Sequence, residues 1–394
     1  MYRYIVSAVC GFLISIGSFA QNIGMEDILK EISQNNRQLK AYQSFIAGKN
    51  LGNKTENNLQ DPQVSAFYLP FGEHQTDDYY EYQISQRFEF PTVYSSRSKR
   101  IHKQKELLEM EYKMMRQEVL LKAKKQLLEL QNLQKRKELE EKRVQQAEEV
   151  YNQIQRLFNA EQIGILELNK AKLAWLQDQF EEDQIEIRIK NTLMDIQKLN
   201  GGNPIQTDQF QFFEDSAVAE MQTLWDEKLS AGTELQMLNA RESLAEQQVK
   251  LEKNKILPDL TIGYNYQGVN SSNYSGFLGG LSIPLWNNNN KVKAAKFNLE
   301  YTLANTAAET AELYTMFQEN YRQYQLLRSK YEEYQETFKN LNSEELLFKA
   351  YKLEELSFLD YYREVEFYRQ GYNKMLEMQK ELFQLKAELL KHQL

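Results

Sequence analysis

The chain has 394 residues, 48 Lys and Arg against 56 Asp and Glu, and a formal net charge of −8. That mildly acidic balance argues against nucleic acid as a partner. Its single cysteine, Cys10, excludes a disulfide framework.

Residues 1–20 read as a secretory signal peptide. Arg3 supplies the positive start, residues 5–16 form a short apolar run, and Ser18-Phe19-Ala20 is a small-x-small cleavage site. The run is shorter than the ~20 residues that a spanning helix needs. Cleavage would remove both Arg3 and Cys10, leaving a slightly more acidic chain without thiol chemistry. No later stretch is apolar enough for a membrane helix, so any membrane passage must use strands.

A first repeat is expected over residues 21–200. It opens with a short helix, followed by strands at about 62–70 and 79–90 and a helical hairpin over about 92–200. In the second strand Tyr80, Tyr82, Ile84, Phe88 and Phe90 fall on one face, and Glu81, Gln83, Ser85, Arg87 and Glu89 on the other. Between Thr92 and Ile163 there is neither Pro nor Gly, and apolar residues recur every three or four positions. The spacing predicts a very long amphipathic helix that turns back near residues 159–164. Gly201-Gly202-Asn203-Pro204 ends the return helix, and residues 201–232 form a linker.

The second repeat, residues 217–394, copies the first. Met25-Glu26-Asp27-Ile28 answers to Met221-Gln222-Thr223-Leu224, and Pro62 to Pro258, 196 residues on. The offset then becomes 193, which pairs Pro91 with Pro284 and Phe158 with Tyr351. Strands are expected at about 258–268 and 274–286 and a second hairpin at about 287–394, with its turn near residues 352–357. A duplication of this length means two equivalent units side by side. Four strands cannot close a barrel and open edges are not tolerated in lipid, so further copies of the chain must supply the rest.

Several strings of residues point to one family. They are Asp61-Pro62-Gln63-Val64 and Leu257-Pro258-Asp259-Leu260 where strands begin, and Phe88-Glu89-Phe90-Pro91 and Leu281-Ser282-Ile283-Pro284 where strands end. The helix turns add Gly164-Ile165-Leu166-Glu167-Leu168 and Leu356-Ser357-Phe358-Leu359-Asp360-Tyr361. In this order the chain resembles the TolC family of outer-membrane efflux channels. Gln86-Arg87-Phe88-Glu89-Phe90-Pro91-Thr92 is similar to the heavy-metal, CusC- and CzcC-like branch.

The resemblance implies a mainly α fold with a membrane β-barrel: a homotrimer with twelve strands and an α-helical periplasmic tunnel. It also implies a cell outer-membrane location and partners in a periplasmic adaptor and an inner-membrane pump of the RND type. By the same resemblance Asp360 falls on an aperture position. Arg363 stands where a second acid often follows, so Glu354, Glu355, Glu161 and Glu167 are further aperture candidates. A carboxylate ring concentrates cations. Gly164, Ile165, Leu166, Ser357, Phe358 and Leu359 are the candidate adaptor-docking tips. Tyr68, Tyr79, Tyr80, Tyr94, Tyr264 and Trp286 are candidate membrane-interface aromatics.

No enzyme constellation is expected, and no cofactor. His74, His102 and His392 lack metal-ligand spacing, and Met110, Met114 and Met115 recur as core residues do. The alternatives are a periplasmic adaptor, which would carry a single hairpin, and a coiled-coil structural protein, which has no use for the strands.

Overall fold

The computed structural model describes residues 24–70, 78–205, 217–269, 272–286, 288–339, 341 and 343–394. The signal-peptide reading of residues 1–20, and His74, lie outside them. Each half of the chain builds the same succession. The first runs α1 (Met25–Asn35), α2 (Arg37–Thr55), β1 (Gln63–Leu69), β2 (Tyr79–Phe88), α3 (Pro91–Asn159) and α4 (Ile165–Leu199). The second runs α5 (Met221–Ala231), α6 (Thr233–Asn254), β3 (Asp259–Val269), β4 (Ser272–Ser282), α7 (Lys291–Lys339), α8 (Ser343–Lys352) and α9 (Phe358–Leu389). The architecture is mainly helical with one small sheet.

Helix α3 is the spine. Pro91 opens it, where a missing amide proton costs nothing. At 69 residues it reaches about 100 Å. Helices α1, α2, α4, α6 and α9 all pack on it. Three apolar clusters succeed one another along the molecule. The first joins Ile28, Ile32, Leu127, Leu130 and Ile196, with Met115 packed alongside. The second centres on Trp225, Leu238, Phe317, Tyr324 and Leu382. The third, at the far end, holds Val150, Ile154, Ala171, Tyr351, Phe358, Tyr361 and Val365.

The second copy departs from the first in its long helix. Residues 285–370 lack Pro and Gly, yet the helix is divided between α7 and α8. Glu344 and Glu345 stand in the first turn of α8, where acids favour a new helix start. The Leu341 carbonyl accepts a bond of 2.9 Å from the Tyr368 hydroxyl.

The four strands lie in the order β1-β2-β3-β4, all antiparallel. The register aligns Val64, Ile84, Tyr264 and Phe277 in one row across the sheet. Since side chains alternate, residues two and four places from this row share its face, which carries Tyr68, Tyr80, Tyr82, Ile262, Tyr266 and Leu281. Phe277 is 94% exposed there. The next row is Ser65, Gln83, Asn265 and Gly276 on the opposite, polar face. There Arg87 pairs with Asp259 at 2.6 Å, and the Asn265 amide donates to Glu81. Gly263 lets the strands approach closely, because a Cβ would lie 2.7 Å from the Ile84 carbonyl oxygen.

The end of α4 latches onto the elbow between α1 and α2. The Asn36 side-chain amide donates to the Leu199 carbonyl at 2.8 Å, and Arg37 Nε donates to the Gly201 carbonyl at 2.9 Å. Gly201 sits at φ +70°, where a Cβ would stand 2.3 Å from the Asn35 carbonyl oxygen. Gly201→Ala should therefore destabilise the fold by about 2 kcal/mol or more, from the left-handed backbone and the clash together. A thermal midpoint unchanged from the parent protein would contradict this.

Candidate functional site: the paired helix tips

The two ends of the long hairpins are built alike. After α3, the amide of Glu161 donates to the Phe158 carbonyl and that of Gln162 to the Leu157 carbonyl. After α8, Glu354 donates to Tyr351 and Glu355 to Ala350. Both are the double carbonyl closure of a helix whose next residue is left-handed. Glycine usually holds that position; here it is Glu161 at φ 59° and Glu354 at φ 62°. A side chain in this region is strained. The chain therefore places a carboxylate at the same strained position in both copies, 193 residues apart.

The helices that leave the turns differ in their caps. Ser357 caps α9: its hydroxyl accepts from the Asp360 amide at 3.2 Å and donates to the Asp360 carboxylate at 2.7 Å. Arg363 reaches Asp360 at 3.3 Å, one turn on. Asp360 is thus held by a hydroxyl and a guanidinium while remaining exposed. In the first copy Gly164 occupies the cap position and Glu167 follows in the first turn. Glu161, Glu354 and Glu355 are exposed, and Glu167 is half-buried.

Ile165, Leu166 and Leu359 present apolar side chains to the surface, Leu166 at 67% exposure, alongside Leu353. Phe358 does not join them. It is buried in the third cluster and its ring lies 6.1 Å from that of Tyr362, so it supports the turn from within.

Further from the tip lies a charge cluster that the sequence reading did not single out. Arg143, 2% exposed, donates to Glu140 at 2.5 Å on its own helix and to Glu344 of α8 at 3.0 Å. Arg369 of α9 donates to both carboxylate oxygens of Asp178 on α4, at 2.9 and 3.0 Å. Four helices meet there. Burial pushes the carboxyls of Asp178 and Glu140 above their usual range, against the pull of the two arginines. Burial likewise raises the Tyr361 hydroxyl. The missed signal was one of periodicity: Ala171, Ala174 and Asp178 share a helical stripe, as do Tyr361, Val365 and Arg369.

The candidate interface aromatics separate by location. Tyr68, Tyr80 and Tyr264 lie on the apolar face of the sheet and Tyr79 on the polar face, bonded to Glu81 at 2.5 Å. Tyr94 belongs to the first turn of α3, where its hydroxyl accepts from the Glu89 amide and Arg97 lies over its ring. Trp286 stands just beyond β4, 83% exposed. His102 pairs with Glu106 at 3.1 Å, and His392 is buried beside Glu227 at 3.6 Å. Among the described residues, no group of three His, Cys, Asp or Glu side chains could hold a metal ion.

No family model and no curated protein matches the chain. Solved structures do. CusC, whose study concerns folding and transmembrane channel formation, superposes with a TM-score of 0.74 at 12% identity over 93% of this chain and 91% of its own. The outer membrane protein VceC of Vibrio cholerae gives 0.73 at 14% identity, over 93% and 95%. The CmeC outer membrane channel of Campylobacter jejuni gives 0.72 at 14%, over 94% and 85%. The chain therefore has the fold of the TolC-type channels along nearly its whole length.

The Asp178–Arg369 pair yields a test. Arg369→Ala would leave a buried carboxylate without its partner, at a cost of about 3–5 kcal/mol, whereas Asp178→Leu with Arg369→Met should be near neutral. A carboxyl whose pKa is raised by folding binds more protons folded than unfolded. Its contribution is therefore lost as pH rises from the usual carboxylate range through the raised value. Asp178→Asn should flatten that part of the stability–pH curve. Unfolding followed by circular dichroism would check both; equal loss in the single and double variants would contradict the pairing argument.

Proposed function

We propose that this chain, which has the TolC-type channel fold, is the outer-membrane exit duct of a tripartite efflux system. It would conduct passively what an inner-membrane pump, of the RND type, delivers through a periplasmic adaptor. One observation carries this reading: the sheet has one face centred on the apolar row Val64, Ile84, Tyr264 and Phe277, an opposite face carrying its charged side chains, and edge strands β1 and β4 that each pair on one side only among the described residues. Such a sheet is stable in lipid only when its edges are closed. Three copies would close a twelve-stranded barrel, the apolar row facing lipid and the polar row facing water. The four helices that join the strands continue from one end of the sheet, so the wall extends as a tunnel into the periplasm.

The tips then form the far end of the tunnel. Ile165, Leu166 and Leu359 are the exposed apolar groups suited to an adaptor, with Gly164 and Ser357 allowing close approach and Phe358 bracing the turn. Asp360, Glu161, Glu354 and Glu355, with Glu167 behind them, give the aperture its negative field. This favours cations over anions, and heavy-metal cations are the cargo class that the strand-end string Gln86–Thr92 supports. Arg363 tempers the field by pairing with Asp360. Outer-membrane lipid is the partner of the apolar sheet face.

Two experiments test the reading. Arg at Ile84 or Ile262 should cost about 2–4 kcal/mol of assembled-particle stability, while Arg at Gln83 or Gln267 should be mild. Equal tolerance, or a detergent-extracted particle of monomer mass, would refute the barrel. In planar bilayers Asp360→Asn should lower cation preference, and Arg363→Ala should raise it or loosen the closed state. Unchanged selectivity and open probability in both would place the gate elsewhere.

A further inference from the structure

Four helices meet the sheet at one level: the end of α2, the start of α3, the end of α6 and the start of α7. Over the nine residues of each that adjoin the strands there are nine Lys or Arg and two Glu, in a chain whose net charge is −8. Taken together, the nine residues at each of the four tip-side ends carry six basic and six acidic side chains. Between the two ends of the hairpins, the basic excess therefore lies at the sheet end. It comes from four segments far apart in sequence, which is why no single segment announces it.

Most of these basic side chains are solvent-exposed. Lys49, Lys54, Lys99, Lys253, Lys293 and Lys296 are all exposed. Apolar groups accompany them: Trp286 is 83% exposed, Leu285 67% and Phe297 57%, with Lys293 set over the Phe297 ring at 5.9 Å. At the same level a cleft of about 430 Å³ is lined by Arg87, Arg97, Lys255, Trp286 and Lys291. Its two carboxylates, Glu89 and Asp259, are taken up by Arg97 and Arg87. Lys296 lies only about 8 Å along α7 from the helix start. This is within a Debye length of the plane where the apolar sheet face ends. Closing the sheet edges between copies would also set the lysines of α7 beside those of α2, which adds like charge to like.

The geometry points to a basic collar that binds the anionic phospholipid headgroups of the leaflet facing the tunnel. Phosphates on that surface would neutralise the lysines, while Trp286, Leu285 and Phe297 enter the boundary between headgroup and chain. The collar would fix the depth at which the barrel sits. This rests on reading the sheet as a membrane barrel, and the test separates the two.

The protein is reconstituted in phosphatidylcholine vesicles containing a minority of phosphatidylglycerol, with bromine on the chains of one lipid or the other, and Trp286 fluorescence is followed. The other tryptophans, Trp175 and Trp225, lie in α4 and α5, far from the sheet. Brominated phosphatidylglycerol should quench with an apparent preference of about fivefold over phosphatidylcholine. That preference should fall towards unity in about 0.5 M salt, which screens headgroup attraction without any substitution. Lys99→Gln, Lys293→Gln and Lys296→Gln together should remove it. Lys170→Gln with Lys172→Gln, near the tip, should not. Equal quenching by the two lipids in the parent protein overturns the collar. So does a preference that survives the triple substitution, or a substitution that alters only anion conductance, which would place these lysines in the lumen. Absence of quenching by either lipid instead refutes the membrane barrel itself.

Discussion

The whole molecule depends on how a helix of about 100 Å is kept helical. A lone helix gains little from propensity, and most of its stability comes from burying one stripe against something else. Helix α3 has no single partner long enough. It is covered by α1, α2, α4, α6 and α9, and two apolar clusters, one around Leu127 and Leu130 and one around Val150 and Ile154, bury parts of its stripe. Removing either of these clusters would leave a length of spine with an exposed apolar stripe. The sheet and the tips, where the function is placed, are held in position at opposite ends of this single element.

Charge is distributed along the same axis. Basic residues gather beside the strands, a buried cluster of two arginines and three carboxylates joins four helices near the far end, and exposed carboxylates mark the tips. The buried cluster contributes register more than energy, since an ion pair removed from water gains little beyond a well-packed apolar contact. Its partners lie on α3, α4, α8 and α9. A slip of any one of these helices by one residue would leave a charge buried and unmatched. The break between α7 and α8 fits this demand, because it brings Glu344 at the start of α8 to Arg143.

Much of the candidate site was legible before any coordinates. The duplicated turns are visible as Asn159–Gly164 and Lys352–Ser357. The pairing of Asp360 with Arg363 follows from helical spacing. Three features were not legible. Glu161 and Glu354 are left-handed, which a non-glycine residue does not advertise. Phe358 sits in an exposed-looking motif but is turned into the third cluster. Asp178 and Arg369 each look like one charge on an amphipathic helix until the two helices are brought together.

The sequence by itself determined the elements, because periodicity, proline position and duplication are local or one-dimensional. Alternation over Tyr79–Phe90 marked a two-faced strand, which the structure ends at Phe88, and the Pro- and Gly-free interval after Thr92 marked a long helix. The tertiary structure alone decided what those elements share. The row Val64, Ile84, Tyr264 and Phe277 draws on four strands, the basic collar on four helices, and the buried charge cluster on four more helix segments. Register and neighbourhood are set by packing between segments up to 278 residues apart, such as Arg116 donating to the Leu394 carbonyl at 3.1 Å. Contacts of that separation leave no periodic trace in the chain, since each partner satisfies only its own helix or strand until the other arrives.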